Sequence, residues 1–340
     1  MDLLKEQIKE VNSVTVIQLL VFFILVPICV YTIVQISRQK SNCSRISEIK
    51  GLTIQNIDSV MADLTLQQVY VKTAYNCCCS GDFKNDYVDN CALLNCNNQG
   101  VRALHFDIYS LAGRPVISTS TVTGNKYKEL YNQLDMYDTM RIIKTKFMSK
   151  SDPLFLIFSV NSELAATYES MYAILLEIFG TGNSTGNVIY FTNDIGGAKL
   201  SDLINKVVIC VEAYNKKLFY ASSLALITSL DLNGSTSKIY KESDILDFYT
   251  NSDTASEKIF PFPQVLFPNK QKSSINYDFV TTGIKYGITF IGMNFQKKDY
   301  HLDLYNTGFG SSSFKERLLI PQTETADTPG NYYITDFMSI

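Results

Sequence analysis

Only two histidines, His105 and His301, occur in the 340 residues, so side chains that titrate near neutral pH are scarce. His105 and Asp107 stand two apart in the run from Val101 to Tyr109, whose alternation reads as a β-strand. Both therefore project from one face, where they can share a proton or a metal ion. The plainer reading of His105 is a hydrogen-bonded side chain in a packed interior. His301, in Lys297-Lys-Asp-Tyr-His-Leu-Asp303, reads as a surface-loop residue. Two imidazoles are too few for a multi-histidine metal site, or for a Ser-His-Asp triad with a separate histidine acid/base set. Ser118, Thr119, Ser120 and Thr121 are rich in hydroxyls, but no base accompanies them to activate a nucleophile.

Cys77, Cys78, Cys79, Cys91 and Cys96 fall within 20 residues, with Cys29, Cys43 and Cys210 elsewhere. No paired C-x-x-C units are present, which argues against a zinc ribbon. Adjacent cysteines do not readily bond to one another, whereas each can reach Cys91 or Cys96; the simplest expectation is a set of small, buried thiols. N-x-S/T triplets at Asn42, Asn183 and Asn233 are of a kind common by chance. With 30 basic and 33 acidic residues and a net charge of −3, the chain lacks the electrostatic footprint of a nucleic-acid binder.

These groups need elements to hold them. The run from Val16 to Val34, VIQLLVFFILVPICVYTIV, has only Gln18 and Thr32 as clearly polar members. At ~1.5 Å per residue it is long enough for a ~30 Å hydrocarbon core. It exceeds a typical signal-peptide core and lacks a small-x-small cleavage site, so 16–36 is expected to be an uncleaved transmembrane anchor after a short segment, 1–15. Pro27 should kink the span without abolishing it. Lys5 and Lys9 precede it, and Arg38, Lys40, Arg45 and Lys50 follow, which places the C-terminal domain on the cytoplasmic side. A polar connector, 37–60, leads into the remaining chain.

From there, strand-like and helical patterns alternate. Strands are expected at Val101 to Tyr109, Pro115 to Thr119, Leu154 to Val160, Val188 to Phe191, Val207 to Val211 and Gly287 to Phe295. Tyr127, Leu130, Tyr131, Leu134 and Tyr137 have the spacing of a helical stripe. A helix is expected from Glu163 to Phe179, capped by Asn161 or Ser162, and a helical turn from Leu200 to Ile204. This rhythm means parallel β/α units. With no glycine-rich phosphate loop in the early turn, a closed barrel suits the length better than a doubly wound sheet.

From Lys72-Thr-Ala-Tyr-Asn76 onward the chain resembles the catalytic barrel of eukaryotic phosphoinositide-specific phospholipase C. Gln99-Gly-Val-Arg-Ala-Leu-His-Phe-Asp-Ile-Tyr109 is similar to the family's G-C-R-x-x-E-L-D-x-W, and Gly113-Arg-Pro-Val-Ile117 to its G-x-P-V-I. Phe155 to Asn161 resembles P-V-I-L-S-L-E, and Gly287 to Gln296 resembles G-C-Q-M-V-A-L-N-F-Q. Phe309 to Pro321 resembles the closing strand. The ordered series spans about 66–322. It implies an α/β, TIM-type (β/α) barrel over 61–322, with an X-like half at 66–212, a connector at 213–255, a Y-like half at 256–322 and a tail at 323–340.

The resemblance also implies where chemistry should sit. The two catalytic histidines of the family correspond to Tyr75 and Thr119, and a phenol and an alcohol are poor proton shuttles near neutral pH. Its calcium ligands correspond to Asn76, His105, Asp107 and Asn161, so three carboxylates are reduced to one; these are vestigial candidates, and the calcium site is expected to be lost. Its two phosphate-binding lysines correspond to Cys210 and Glu212, and its arginine and tyrosine to Val265 and Phe267. The expected function is a membrane-anchored, catalytically inactive barrel, without cofactor, that serves as a structural or protein-binding module such as a membrane-proximal virion component. Its partners are the bilayer through Val16 to Val34, a protein and no nucleic acid. The rival readings are a phosphodiesterase with a rewired, metal-dependent site at His105 and Asp107, and a non-catalytic binder of lipid headgroups.

Overall fold

The apolar run becomes helix α1 (Ser13–Ser47) in a computed structural model that describes residues 13–122, 124, 126–180, 188–234, 236–250 and 262–317. The triplet at Asn183, the start of the second barrel half and the 323–340 tail lie outside the described residues. Every side chain from Val16 to Val34 is exposed, and α1 is long and apolar enough to cross a membrane. Pro27 lies inside it, and the Thr32 hydroxyl donates back to the Ile28 carbonyl at 2.8 Å. The helix runs on to Ser47, so the first part of the polar connector is helical. Contacts divide the chain into two units at Arg45 and Ile46.

The second unit carries α2 (Ser59–Asp63), β1 (Val69–Ala74), α3 (Asn90–Asn98), β2 (Ala103–Leu111), β3 (Arg114–Ser118), β4 (Leu134–Asp135), α4 (Met136–Lys146), β5 (Leu154–Val160), α5 (Ala165–Leu175), β6 (Ile189–Tyr190) and β7 (Val207–Ala213). There follow α6 (Lys216–Tyr220), β8 (Leu230–Asp231), β9 (Ile239–Lys241), α7 (Glu242–Thr250), β10 (Val265–Phe267), α8 (Phe279–Thr282), β11 (Phe290–Met293), α9 (Tyr300–Phe309) and β12 (Phe314–Glu316). Parallel ladders link the strands in the order β6-β7-β5-β2-β1-β11-β10-β9. β5 is buried along its whole length, as a strand covered on both faces must be. The register sets Asp107, Ser159 and Glu212 abreast, with His105, Ile157 and Cys210 in the layer beneath.

Three expectations change. The parallel sheet curls, but among the described residues no ladder joins β8 to β9, so it is not closed by hydrogen bonds. The stripe from Tyr127 to Tyr137 is not a helix: α4 starts at Met136, where the Asp135 carboxylate accepts the Asp138 N–H at 3.2 Å. Tertiary bonds claim the preceding segment, with Glu129 N–H donating to the Thr119 carbonyl and Tyr131 N–H to that of Asp86. His301 lies in the first turn of α9 and is half-buried, rather than in a surface loop.

Candidate functional site at the barrel mouth

At the end of β1 the chain turns through Asn76 with φ 43°, a left-handed conformation that asparagine tolerates better than most residues. The turn presents the Asn76 backbone N–H to His105 Nδ1 at 3.2 Å. Because Nδ1 accepts, Nε2 carries the ring hydrogen, and it faces Ser159 Oγ at 3.0 Å. Ser159 Oγ in turn donates to Glu212 Oε2 at 2.8 Å. Ser159 and His105 are spaced like a nucleophile and its base, yet the polarity is reversed: the imidazole gives its hydrogen to the serine. Burial lowers the His105 pKa to about 3; Asp107 opposes the fall, while Lys241 and Lys270 add to it. The ring is neutral at pH 7, with both nitrogens engaged.

Aromatic rings pack around it. Tyr75 stacks on His105 with centroids 5.0 Å apart, and Phe267 lies 4.3 Å from His105 and 4.7 Å from Tyr75. Gly292 on β11 makes room for this plug, since a Cβ there would come within 2.4 Å of the Phe267 ring. Burial, then the Asp107 charge, push the Tyr75 phenol well above its ordinary pKa. Lys241, at the end of β9, sets its ammonium over the Tyr75 and Phe267 rings at 5.3 and 5.1 Å. Desolvation, and secondarily Lys270, bring that ammonium down to about 8.

Asp107 is 0% exposed. Its Oδ2 accepts from Thr119 Oγ1 at 2.8 Å and lies 3.3 Å from Lys270 Nζ. Thr119 Oγ1 accepts from Asn76 Nδ2 at 2.9 Å. Burial would raise the carboxyl; Lys270 first, then His105, the Thr119 hydrogen bond and Lys241, outweigh it and hold it below its ordinary value. Asn76 Oδ1 and Asp107 Oδ1 are buried without hydrogen-bond partners. The space beside them, lined also by Cys78, Cys79, His105 and Ser118, is too narrow for a water molecule. Small-molecule sites commonly offer ~300–1,000 Å³.

The fold thus brings together Tyr75, Asn76, His105, Asp107 and Thr119. Asn161 is directed elsewhere, its Nδ2 donating to the Ser159 carbonyl at 3.2 Å. Cys210 and Val265 are buried, and burial raises the Cys210 thiol. Sequence reasoning missed Lys241, Lys270 and the bridging role of Ser159. The signal for the lysines was one closing Ile239-Tyr-Lys241 and another just beyond Phe267-Pro268, both after strand-like runs. Cys77, Cys78, Cys79 and Cys96 are free and buried, pairing neither with one another nor with Cys91. Cys91 is disulfide-bonded, which corrects the expectation of thiols throughout. Burial raises the Cys77, Cys79 and Cys96 thiols, away from the thiolate state a nucleophile needs.

No family model matches the chain, and no curated protein does so. Solved structures do. PLC21 from L. pealei is similar with a TM-score of 0.60 and 14% identity, over 76% of this chain and 38% of that one. PLC21 from S. officinalis gives 0.59 and 14%, over 76% and 37%. A calcium-dependent phosphoinositol-specific phospholipase C from Pseudomonas sp. gives 0.46 and 9%, over 76% and 98%. The chain spans well under half the length of the two PLC21 proteins. The likeness is one of fold: the curled sheet is of the phospholipase C-like phosphodiesterase kind.

Proposed function

We propose that this chain is a membrane-anchored, non-catalytic barrel that serves as a structural or protein-binding module, for example close to the membrane in a larger assembly such as a virion. The observation that carries the reading is the state of His105. It is the imidazole at the mouth, and its two nitrogens are engaged by Asn76 and Ser159 while Tyr75 and Phe267 cover the ring. A proton shuttle needs a nitrogen free to meet substrate and a pKa near the working pH; this ring offers neither. The donor set also does not suit calcium, which takes 6–8 oxygens: one carboxylate is present, and an ammonium already holds it. Four charges, Asp107, Glu212, Lys241 and Lys270, balance to zero at the mouth. The Lys/Arg balance around α1 supports a barrel on the cytoplasmic side, and protease protection of the barrel in intact membranes tests this.

The deciding experiment is turnover of phosphatidylinositol and its phosphates by the full chain in detergent, with calcium, magnesium or zinc supplied. General acid–base help is worth ~10²–10⁴-fold, and its loss together with the metal leaves the rate at background. Metal-dependent turnover that disappears in His105→Ala refutes the reading in favour of a rewired phosphodiesterase. A headgroup-binding reading draws on one observation, the Lys241 ammonium, which the rings of Tyr75 and Phe267 support from below. Vesicles containing phosphatidylinositol phosphates that retain the chain through Lys241, and release a Lys241→Ala variant, would replace the structural reading with that one.

A further inference from the structure

A polar side chain in hydrocarbon has no water to bond, so it bonds its own helix or another one. The run from Val16 to Val34 has Gln18 and Thr32 as its clearly polar members, and they differ in this respect. The Thr32 hydroxyl is satisfied within α1 by the Ile28 carbonyl. Gln18 is exposed, and no hydrogen-bond partner reaches it among the described residues. At ~100° per residue, Phe22, Leu25, Cys29, Thr32 and Ile36 lie within about 40° of Gln18 around the helix axis. Each of them is exposed. Gln18, Leu25 and Thr32 stand seven residues apart, and so do Phe22, Cys29 and Ile36. That is the period of a left-handed helix pair. The rise from Gln18 to Thr32 is ~21 Å, about two thirds of a ~30 Å hydrocarbon core. Pro27 stands about 180° round from Gln18, so its ring does not obstruct this face.

We propose that α1 pairs within the membrane with the α1 of a second copy of this chain, Gln18 meeting Gln18 and Cys29 meeting Cys29 along this seam. A carboxamide carries both donors and an acceptor, so it is complementary to its own copy across a two-fold axis. Two chains inserted by the same segment lie parallel, and in a parallel pair residues of like number face each other. A second copy therefore supplies the missing amide at the depth where Gln18 needs it. Cys29 is small enough to let the two backbones approach at the middle of the seam, where Phe22, Leu25 and Ile36 pack around it. The inference rests on α1 crossing a bilayer and is independent of what the barrel does.

The test is oxidative cross-linking of the purified full chain in phosphatidylcholine vesicles with copper phenanthroline, read by denaturing electrophoresis without reductant. The wild type should give a species of twice the chain mass that reductant reverses. The other free cysteines are buried, and Cys29→Ser, which should abolish the species, controls for them. The double variant Cys29→Ser, Val30→Cys moves the thiol ~100° round the helix at nearly the same depth and should cross-link several-fold less. Gln18→Leu should weaken pairing about tenfold, read from the cross-linked fraction as lipid is added, while Gln18→Asn keeps the amide and should keep the pair. Equal cross-linking from positions 29 and 30 overturns the proposal, because chance collision in the bilayer then explains it. An unchanged Gln18→Leu variant overturns it too. A wild-type chain that carbonate strips from the vesicles refutes the anchor and the pairing with it. A chain that stays with the vesicles and gives no species of twice its mass refutes the pairing alone.

Discussion

Replacing Lys72 with methionine should make the barrel more stable at pH 7. Lys72 lies in β1 with 0% exposure, and its ammonium has no hydrogen-bond partner. Its nearest compensation is the Phe309 ring, 5.8 Å from Nζ to the centroid. Desolvation lowers its pKa from 10.5 to about 7, and a displacement of that size corresponds to about 5 kcal/mol between the charged and neutral forms. Between those two values the unfolded chain binds the proton and the folded chain does not. Stability therefore rises with pH across the window, by up to about 1.4 kcal/mol per unit, and is lost as pH falls from 10.5 towards 7. Methionine has a similar length and no charge to desolvate. Allowing for the lost ring contact, the gain at pH 7 should be on the order of 3 kcal/mol, shrinking towards zero near pH 10. Thermal or denaturant unfolding of both proteins from pH 7 to pH 10 measures it. Other groups titrate in this range, so the difference between the two curves is the relevant quantity. Parallel curves would refute the account of Lys72 as a buried, uncompensated cation.

Two further outcomes are expected. Glu129 accepts from Lys84 Nζ at 2.6 Å, the Thr121 N–H at 2.6 Å and the Ser120 hydroxyl at 3.1 Å. Burial would raise its carboxyl, but these bonds, Lys84 foremost, bring it down to about 2, so its contribution is complete above pH 4.5 and lost as pH falls towards 2. Glu129→Gln should cost ~1–3 kcal/mol at pH 7 and flatten acid unfolding in that window; an unchanged acid limb would count against it. For α1, carbonate extraction at high pH should leave the full chain in the membrane pellet, while a chain lacking residues 1–45 should appear in the supernatant. Retention of the shortened chain would show a second membrane attachment.

Several features of the protein are written in the order of its residues. Hydropathy alone marks α1, because an apolar surface all round a helix of 19 or more residues has few places to go but lipid. The apolar runs at Leu154 to Val160 and Val207 to Val211 announce buried parallel strands, since ladders covered on both faces need uninterrupted apolar side chains. The identities of Tyr75 and Thr119 are read directly, and so is the shared face of His105 and Asp107, which follows from the period of a strand. The stripe from Tyr127 to Tyr137 misleads because helical spacing is a weak local preference, and Glu129 and Tyr131 are claimed by partners on other segments.

Only the tertiary structure decided what those residues do. The tautomer of His105 depends on a backbone N–H from the turn after β1, and no side-chain pattern encodes that direction. Lys270 meets Asp107 across 163 residues, a pairing set by how β10 and β2 are carried around the sheet through β1 and β11. Lys241 reaches the mouth because β9 pairs with β10 in a register that sets it beside Phe267. Sequence specifies element type through local periodicity, which acts over a few residues. Charge compensation in the barrel depends on strand order and register, which are settled by the folded chain as a whole.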